Sequence, residues 1–397
     1  MDRRRFLTAA GLSLGSSLTA FSAVGGASEI SSAELYLINV AAVRHFSSGT
    51  WYNRQHLMLR LSDGSHGGWS EAIISVNQPG VELTEWEGRV AQVLGKSPKK
   101  ALRWLREEKY GEWDSKPVEL LEFALYDLLG RAANTPSVRL LGLDGNAVVP
   151  GLFTILETDP GKLMDKYAEA RRQGLTSHLK LKLFGEAESD RELIRTLRRA
   201  AGADAFLIGD PNRGYTEGTL EEYAAILRDH HAAGLNGCED PAPLTNPEWV
   251  QLQAMVGELA LIPDKPLRPS WESIRTLLPG MGRIYNFHPK TTGSLADMVT
   301  LGRRIQEDWG GRIMIGDDSL IGAGATAWQQ IACGFGAVCT EALEKPQEST
   351  AFLDCIERKA TRLDRKGRVH WRPAPGFGLE VDTAKLRQRA TAVSIKY

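Results

Sequence analysis

Three acids and two lysines have the types and spacing that could do chemistry. Asp210, Glu239 and Asp264 each close a short apolar run: Phe206-Leu-Ile-Gly-Asp210, Leu235-Asn-Gly-Cys-Glu239 and Leu259-Ala-Leu-Ile-Pro-Asp264. If these runs are neighbouring strands, three carboxylates meet at one rim and repel unless a divalent cation offsets them. Ligation by oxygen alone favours Mg2+, or Mn2+, over zinc. The competing reading is three independent helix N-caps, since an aspartate at a strand-to-helix turn caps well. Lys180 and Lys182 alternate with Leu179, Leu181 and Leu183. Strand alternation puts both lysines on one face and the leucines on the other. Two buried ammonium groups side by side lower each other's pKa, which would yield a neutral amine able to act as a base. On an edge strand the same lysines would simply be solvated.

Positioning these residues requires a repeat, and the chain has one. Apolar runs fall at 151–155, 178–182, 206–210, 235–239, 259–264, 283–288, 312–317 and 337–341, and from the second onward each ends in an ionisable residue. The spacing is what one strand, one loop and one helix occupy. Helical periodicity falls at Pro160 to Gly174, Glu188 to Ala201, Leu220 to Ala233 and Leu295 to Asp308. Eight such units predict an α/β fold of the TIM-barrel type, whose strand C-termini form the reactive face. A doubly wound open sheet is the runner-up, but no GxGxxG follows the first strand. Ahead of the barrel, Leu35 to Val43, Gln55 to Ser62 and Gly68 to Ser75 read as antiparallel strands. Helices are expected at Val81 to Leu94, Ala101 to Glu107 and Leu120 to Ala133. The expected division is 1–28 signal peptide, 29–148 α+β capping domain, 149–358 barrel and 359–397 a return to the cap.

With these motifs in hand, the chain resembles the enolase superfamily, in its mandelate racemase and muconate lactonizing enzyme branch. The resemblance rests on Lys180-x-Lys182, Asp210-Pro-Asn212, Glu239-Asp-Pro241 and Asp264. It extends to Ala124-Leu-Tyr-Asp127 with Pro136 and Leu140-Leu-Gly142, and to Pro373-Ala-Pro-Gly-Phe-Gly-Leu-Glu-Val-Asp382. It implies a (β/α)7β barrel with an N-terminal cap completed by the C-terminal tail. It also implies Mg2+-dependent removal of the proton α to a substrate carboxylate, with enediolate stabilisation. In that scheme Lys182 is the base or acid on one face. Lys180 lowers its pKa and contacts the substrate carboxylate. Asp210, Glu239 and Asp264 hold the metal, and Asn212 supports them from behind.

The pattern departs from that branch on the opposite face. Lactonizing enzymes and dipeptide epimerases end strand six in lysine, and mandelate racemase uses a strand-seven histidine oriented by an aspartate. Here strand six reads Asn286-Phe-His288-Pro-Lys-Thr-Thr-Gly-Ser294. That resembles the o-succinylbenzoate synthase form with His288 in the lysine's place. Strand seven ends Gly316-Asp-Asp-Ser319, without histidine, and Lys265-Pro266 follows Asp264 where Glu-Ser is usual. His288 is a second base, a substrate-orienting group or a structural histidine. Lys290 could deputise for it, and Asp317 or Asp318 could orient it. Trp51, Tyr52 and Arg54, in the Phe46 to Arg54 segment, could close over a substrate with an apolar part; a plain surface hairpin is the alternative. The outcome is racemisation or epimerisation, or else elimination or cycloisomerisation. The alternatives are an acid-sugar dehydratase and a metal-retaining carboxylate-binding protein without turnover.

Composition narrows the classes. Forty-eight basic against 49 acidic residues leave a net charge of -1, which argues against nucleic acid as partner and leaves a small carboxylate. A 42% hydrophobic content in 397 residues supplies a large core. Four cysteines, at 238, 333, 339 and 355, are too sparse for a disulfide scaffold and read as buried small side chains. A homo-oligomer is expected. Arg3-Arg4-Arg5-Phe6-Leu7, then no charge to Ser28, resembles a twin-arginine export signal. It predicts a periplasmic or secreted protein with no stable membrane span after processing; an uncleaved anchor is the alternative.

Overall fold

The computed structural model describes residues 28–46, 49–78, 80–144, 148–345, 348 and 352–397. The expected export signal therefore lies outside the described residues, Ser28 excepted.

Alternating apolar residues build a sheet with two buried faces. Strands β1 (Ser32–Phe46), β2 (Gly49–Ser62) and β3 (Gly67–Val76) are antiparallel neighbours. Leu35, Leu37, Leu57, Leu59 and Leu61 pack on α1 (Thr84–Ala91), α2 (Pro98–Trp104) and α3 (Ser115–Ala132). One residue out of phase, Tyr36, Ile38, Val40 and Met58 pack on Ile321, Ala323, Phe352 and Leu386. That period of two follows from the pleat. Beyond α2, Leu105–Lys109 forms a π turn where helix was expected to run on.

Seven parallel barrel strands follow: β4 (Phe153–Ile155), β5 (His178–Lys182), β6 (Phe206–Asp210), β7 (Gly237–Glu239), β8 (Ala260–Ile262), β9 (Ile284–Phe287) and β10 (Arg312–Ile315). The run at 337–341 forms no regular strand, but Thr340 bridges to both Gly151 and Ile315. The two barrel sheets are joined by Asn286 N–H to Pro263 O (3.0 Å). Val338 N–H to Ile313 O (2.8 Å) and Leu152 N–H to Thr340 O (2.8 Å) carry the bonding on to β4. Backbone hydrogen bonds thus link all eight runs in a ring.

Each strand feeds a helix: α4 (Pro160–Arg172), α5 (Ala187–Ala201), α6 (Leu220–Ala232), α7 (Asn246–Met255), α8 (Ser270–Thr276), α9 (Leu295–Glu307) and α10 (Ala323–Phe335). Thr219 with Glu222, and Thr245 with Glu248, are capping boxes that start α6 and α7. After the eighth run the chain returns to short antiparallel strands, and β11 (Ala392–Lys396) pairs with β1. All four cysteines are buried, as expected of small apolar side chains. Among the described residues no helix is long and apolar enough to cross a membrane.

Two buried carboxylates fix the sheet, one to α3 and the C-terminal return and one to the barrel. Asp127 of α3 accepts from Trp69 N–H (2.8 Å) and Phe377 N–H (2.5 Å). Glu71 of β3 accepts from the N–H groups of Ile321 (2.7 Å), Gly322 (3.1 Å) and Gly324 (3.0 Å), and lies 2.9 Å from His56 Nδ1. Those amides open α10, where the helix dipole favours an anion. Glu71→Ala strands three buried donors, so urea denaturation should show a loss on the order of 3 kcal/mol. Glu71→Gln, which keeps an acceptor, should lose less.

Candidate active site

On β5 the leucines face the helices and the lysines face the barrel interior. Lys180, only 3% exposed, lies in a nest of acids. Its Nζ is 2.5 Å from Glu341 Oε2, 3.2 Å from Glu239 Oε2 and 3.5 Å from Asp210 Oδ2. Burial works to lower its pKa, but Glu239, Glu341 and Asp210 outweigh that and hold it well above the usual lysine range. For Lys180 the expected lowering by its lysine neighbour does not hold, because the surrounding carboxylates decide its charge. Lys182 Nζ pairs with Asp210 and lies 3.1 Å from Asn212 Oδ1. Burial pushes Asp210 up, but Lys182 and Lys180 bring it down to about 2. Asn212, at φ +51°, returns two hydrogen bonds to Asp210 Oδ1, from its N–H (3.0 Å) and its Nδ2 (2.8 Å).

Glu239 and Asp264 end the next two strands. Asn286 Nδ2 donates to Glu239 Oε1 at 2.9 Å. Burial and Asp210 push Glu239 well above the usual carboxylate range against the pull of Lys180. Asp264 is turned onto Arg268, which grips both its oxygens, Nε to Oδ1 at 2.8 Å. Among the described residues no three His, Cys, Asp or Glu groups close on one point as a metal set. The physical reason is that the chain's own cations satisfy the acids: Asp210 and Glu239 share Lys180, and Asp264 takes Arg268. The donor set still suits a hard dication. All three end in oxygen, all are more than nine-tenths buried, and two already converge on one cation.

His288 follows β9 and faces the same cavity, of about 710 Å3, as Lys182. Its Nδ1 lies 2.9 Å from the carbonyl of Pro289. Burial, then Arg268, lower its pKa against the pull of Asp264 and Asp318. Neither Asp317 nor Asp318 hydrogen-bonds to it, which corrects that expectation. Asp317 pairs with Lys345, and Asp318 with Lys290 at 3.1 Å. Lys290 lines the cavity with its Nζ 5.7 Å from the centre of the Trp51 ring, so Trp51 does reach the site. Tyr52 and Arg54 do not line the cavity. On an extended strand they share the face opposite Trp51. Tyr52 is 60% exposed, while Arg54 is fully buried against Glu348 at 2.6 Å.

Sequence reasoning passed over Glu341, Arg268, Arg44 and Glu119. Glu341 carried a signal as the ionisable end of the eighth run. Arg268 stands four residues from Asp264. Arg44 lines the cavity and grips Glu348 (2.8 Å). Glu119 carried no signal; it lies in α3, and the N–H groups of Lys290 (2.7 Å) and Gly293 (3.2 Å) donate to it, holding the loop beyond His288.

A ring of parallel strands with lysines and acids at the strand ends defines a β/α-barrel protein whose reactive face is the C-terminal rim. Residues 162–385 match the family described as enolase C-terminal domain-like, and the chain belongs to that family, in its mandelate racemase and muconate lactonizing enzyme branch. Among curated proteins, the chain is 30% identical over 118 residues to D-Ala-D/L-Ala epimerase of Cytophaga hutchinsonii. That stretch is 30% of this chain and 31% of the epimerase. It is 26% identical over 268 residues to L-Lys-D/L-Arg epimerase of Methylococcus capsulatus, covering 65% of this chain and 70% of the relative. Among solved structures, the dipeptide epimerase of Cytophaga hutchinsonii complexed with Mg and D-Ala-L-Val superposes at a TM-score of 0.75. The identity is 20%, with 92% of this chain and 99% of that one covered.

Glu119 gives the site a pH signature. Burial raises its pKa to about 8 from an ordinary 4.5, although the N–H groups of Lys290 and Gly293 pull it down. A carboxyl raised on folding adds stability that is complete below its unfolded value and is lost as pH rises through the folded one. Thermal melts should therefore fall between about pH 5 and about pH 9. Glu119→Gln should make that fall shallower without abolishing it, leaving the shares of Glu239, which burial and Asp210 raise, and of Glu122 and Asp240, which burial raises to about 7.

Proposed function

We propose that this protein is an epimerase or racemase that moves the proton α to the carboxylate of a dipeptide or related amino-acid derivative. One observation carries the reading. Lys182 closes the second strand of an eight-membered ring, His288 follows the sixth, and both line one cavity. Positions two and six lie across the ring, so an α-carbon between them offers one face to each. The names of the curated relatives, epimerases of Ala-Ala, Lys-Arg and hydrophobic dipeptides, support that substrate class.

The chain's groups divide the work. Lys180, held cationic, takes the substrate carboxylate. His288 donates Nδ1–H to Pro289 O, so its Nε2 lone pair is free to take a proton. Lys182, anchored by Asn212, delivers a proton to the other face, and the roles reverse for the opposite epimer. Asp210, Glu239 and Asp264 are the residues that would hold Mg2+, which supplies, when bound, the positive charge that stabilises an enediolate. A second reading, carboxylate binding without turnover, draws on Arg268, whose guanidinium engages the third of those acids.

Export to the periplasm belongs to the same proposal and rests on Arg3-Arg4-Arg5-Phe6-Leu7 and the uncharged stretch after it. Replacing Arg3 and Arg4 together with lysine should leave the protein in the cytoplasmic fraction.

Deuterium wash-in tests the chemistry. Protein with Mg2+ in D2O is given L-Ala-L-Ala, L-Lys-L-Arg and a hydrophobic dipeptide, and α-exchange is followed by mass. Exchange should occur with at least one, should stop with chelator, and should drop by roughly 10^3 or more in Lys182→Ala. A peptide that binds tightly yet never exchanges would decide for the binding protein.

A further inference from the structure

His288 and Glu119 are joined through a single peptide unit. His288 Nδ1 donates to the carbonyl of Pro289 at 2.9 Å, and the N–H of that same peptide, belonging to Lys290, donates to Glu119 Oε1 at 2.7 Å. A carbonyl oxygen only accepts, so the first bond requires the imidazole proton on Nδ1. The peptide is trans, so its C=O and N–H point in opposite directions. The imidazole and the carboxyl group therefore sit at the two ends of one amide dipole. Each hydrogen bond polarises the amide toward the other.

The grip is also mechanical. Lys290 is held at φ +71°, a left-handed conformation that a side-chain-bearing residue keeps only under constraint. The constraint comes from α3. Besides the Lys290 N–H, Glu119 takes Gly293 N–H at 3.2 Å, and Ser115 Oγ donates to Lys290 O at 3.0 Å. Released from α3, Lys290 relaxes toward negative φ and the peptide ahead of it turns. The acceptor of the imidazole proton turns with it. Glu119 itself is buried and does not line the cavity, so any effect it has on substrate passes through His288 and Lys290.

We propose that Glu119 is the positioning residue of the His288 face, fixing the Nδ1–H tautomer through the Pro289–Lys290 peptide and making Nε2 the nitrogen that exchanges a proton with substrate. This rests on the epimerase reading above for its kinetic consequence but not for its structural one.

Two readouts keep those apart. In protein labelled with 15N-histidine, two-bond 15N–1H correlations report the tautomer of His288, assigned by its loss in His288→Asn. Wild type should show hydrogen on Nδ1. Glu119→Ala should convert His288 to a tautomer mixture, while Glu119→Gln, which keeps an acceptor for Lys290 N–H, should stay near wild type. If Glu119→Ala does not fold, Ser115→Ala should give a partial shift. Wild type with hydrogen on Nε2, or a tautomer indifferent to both substitutions, overturns the proposal. The second readout is exchange in D2O from L-Lys-L-Arg and from L-Lys-D-Arg. The epimer whose exchange His288→Asn abolishes should slow about tenfold or more in Glu119→Ala, and the other by less than about twofold. Equal slowing of both epimers means a merely structural role and also overturns it. If wild type exchanges neither peptide, the epimerase reading fails for these substrates, and the tautomer measurement decides the positioning role alone.

Discussion

An ammonium group clamped among three carboxylates organises this rim. Lys180 could not be buried as a cation without partners, and Glu341, Glu239 and Asp210 could not be buried as anions without it. The three acids come from the eighth, fourth and third runs of the barrel. They meet at the second only because Thr340 closes the ring between Gly151 and Ile315. Glu341 in turn takes the hydroxyl of Thr154 on the first strand. Ring closure and charge satisfaction are thus one constraint: an open sheet would leave Lys180 without its nearest anion. The same nest decides the ionisation of what surrounds it, drawing Asp210 down and leaving Glu239 raised.

The cap is more than a cover. Its sheet is apolar on both faces, one against its own helices and one against the loops beyond the seventh barrel strand. Glu71 fixes the second contact through three backbone amides, and Asp127 ties the sheet to α3 and the C-terminal return, bonds that tolerate little displacement. Helix α3 reaches further, to the loop after strand six, through Ser115, Glu119 and Glu122. The two sides of the cavity are therefore held differently. The Lys182 side is built by barrel strands and the turn that carries Asn212, and the His288 side is a loop held in shape by the cap.

Much of this was legible in the sequence because it repeats. The strand period, the lysine alternation on β5 and the ionisable strand ends all follow from the pleat and from the β/α unit length, and these placed Lys180, Lys182, Asp210 and Glu239 together. Where periodicity fails, so did the reading. Helix α10 is buried all round and shows no amphipathic stripe, so its segment raised no helical expectation. Helix α8 has only seven residues. Arg54 has the look of a substrate-binding arginine, and only its strand phase and Glu348 reveal that it is buried behind the site. The charge state of Lys180 could not be had from its neighbour in sequence, because the groups that set it lie 30, 59 and 161 residues away.

The histidine after strand six is accounted for when charge is followed through space. Arg268 follows Asp264 by four residues and holds it in a two-pronged pair. That guanidinium also acts on His288, where it opposes protonation. A lysine at 288 would put an ammonium group against the Arg268 guanidinium, with Lys290 two residues on. Two like charges in a buried pocket would force one of them to give up its proton. A histidine meets the same neighbours without conflict. It is neutral at ordinary pH, its Nδ1–H is spent on a backbone carbonyl, and its Nε2 stays available. Arg268 beside Asp264 is thus compatible with a neutral imidazole at 288, and replacing Arg268 alone would leave Asp264 without its two-pronged partner.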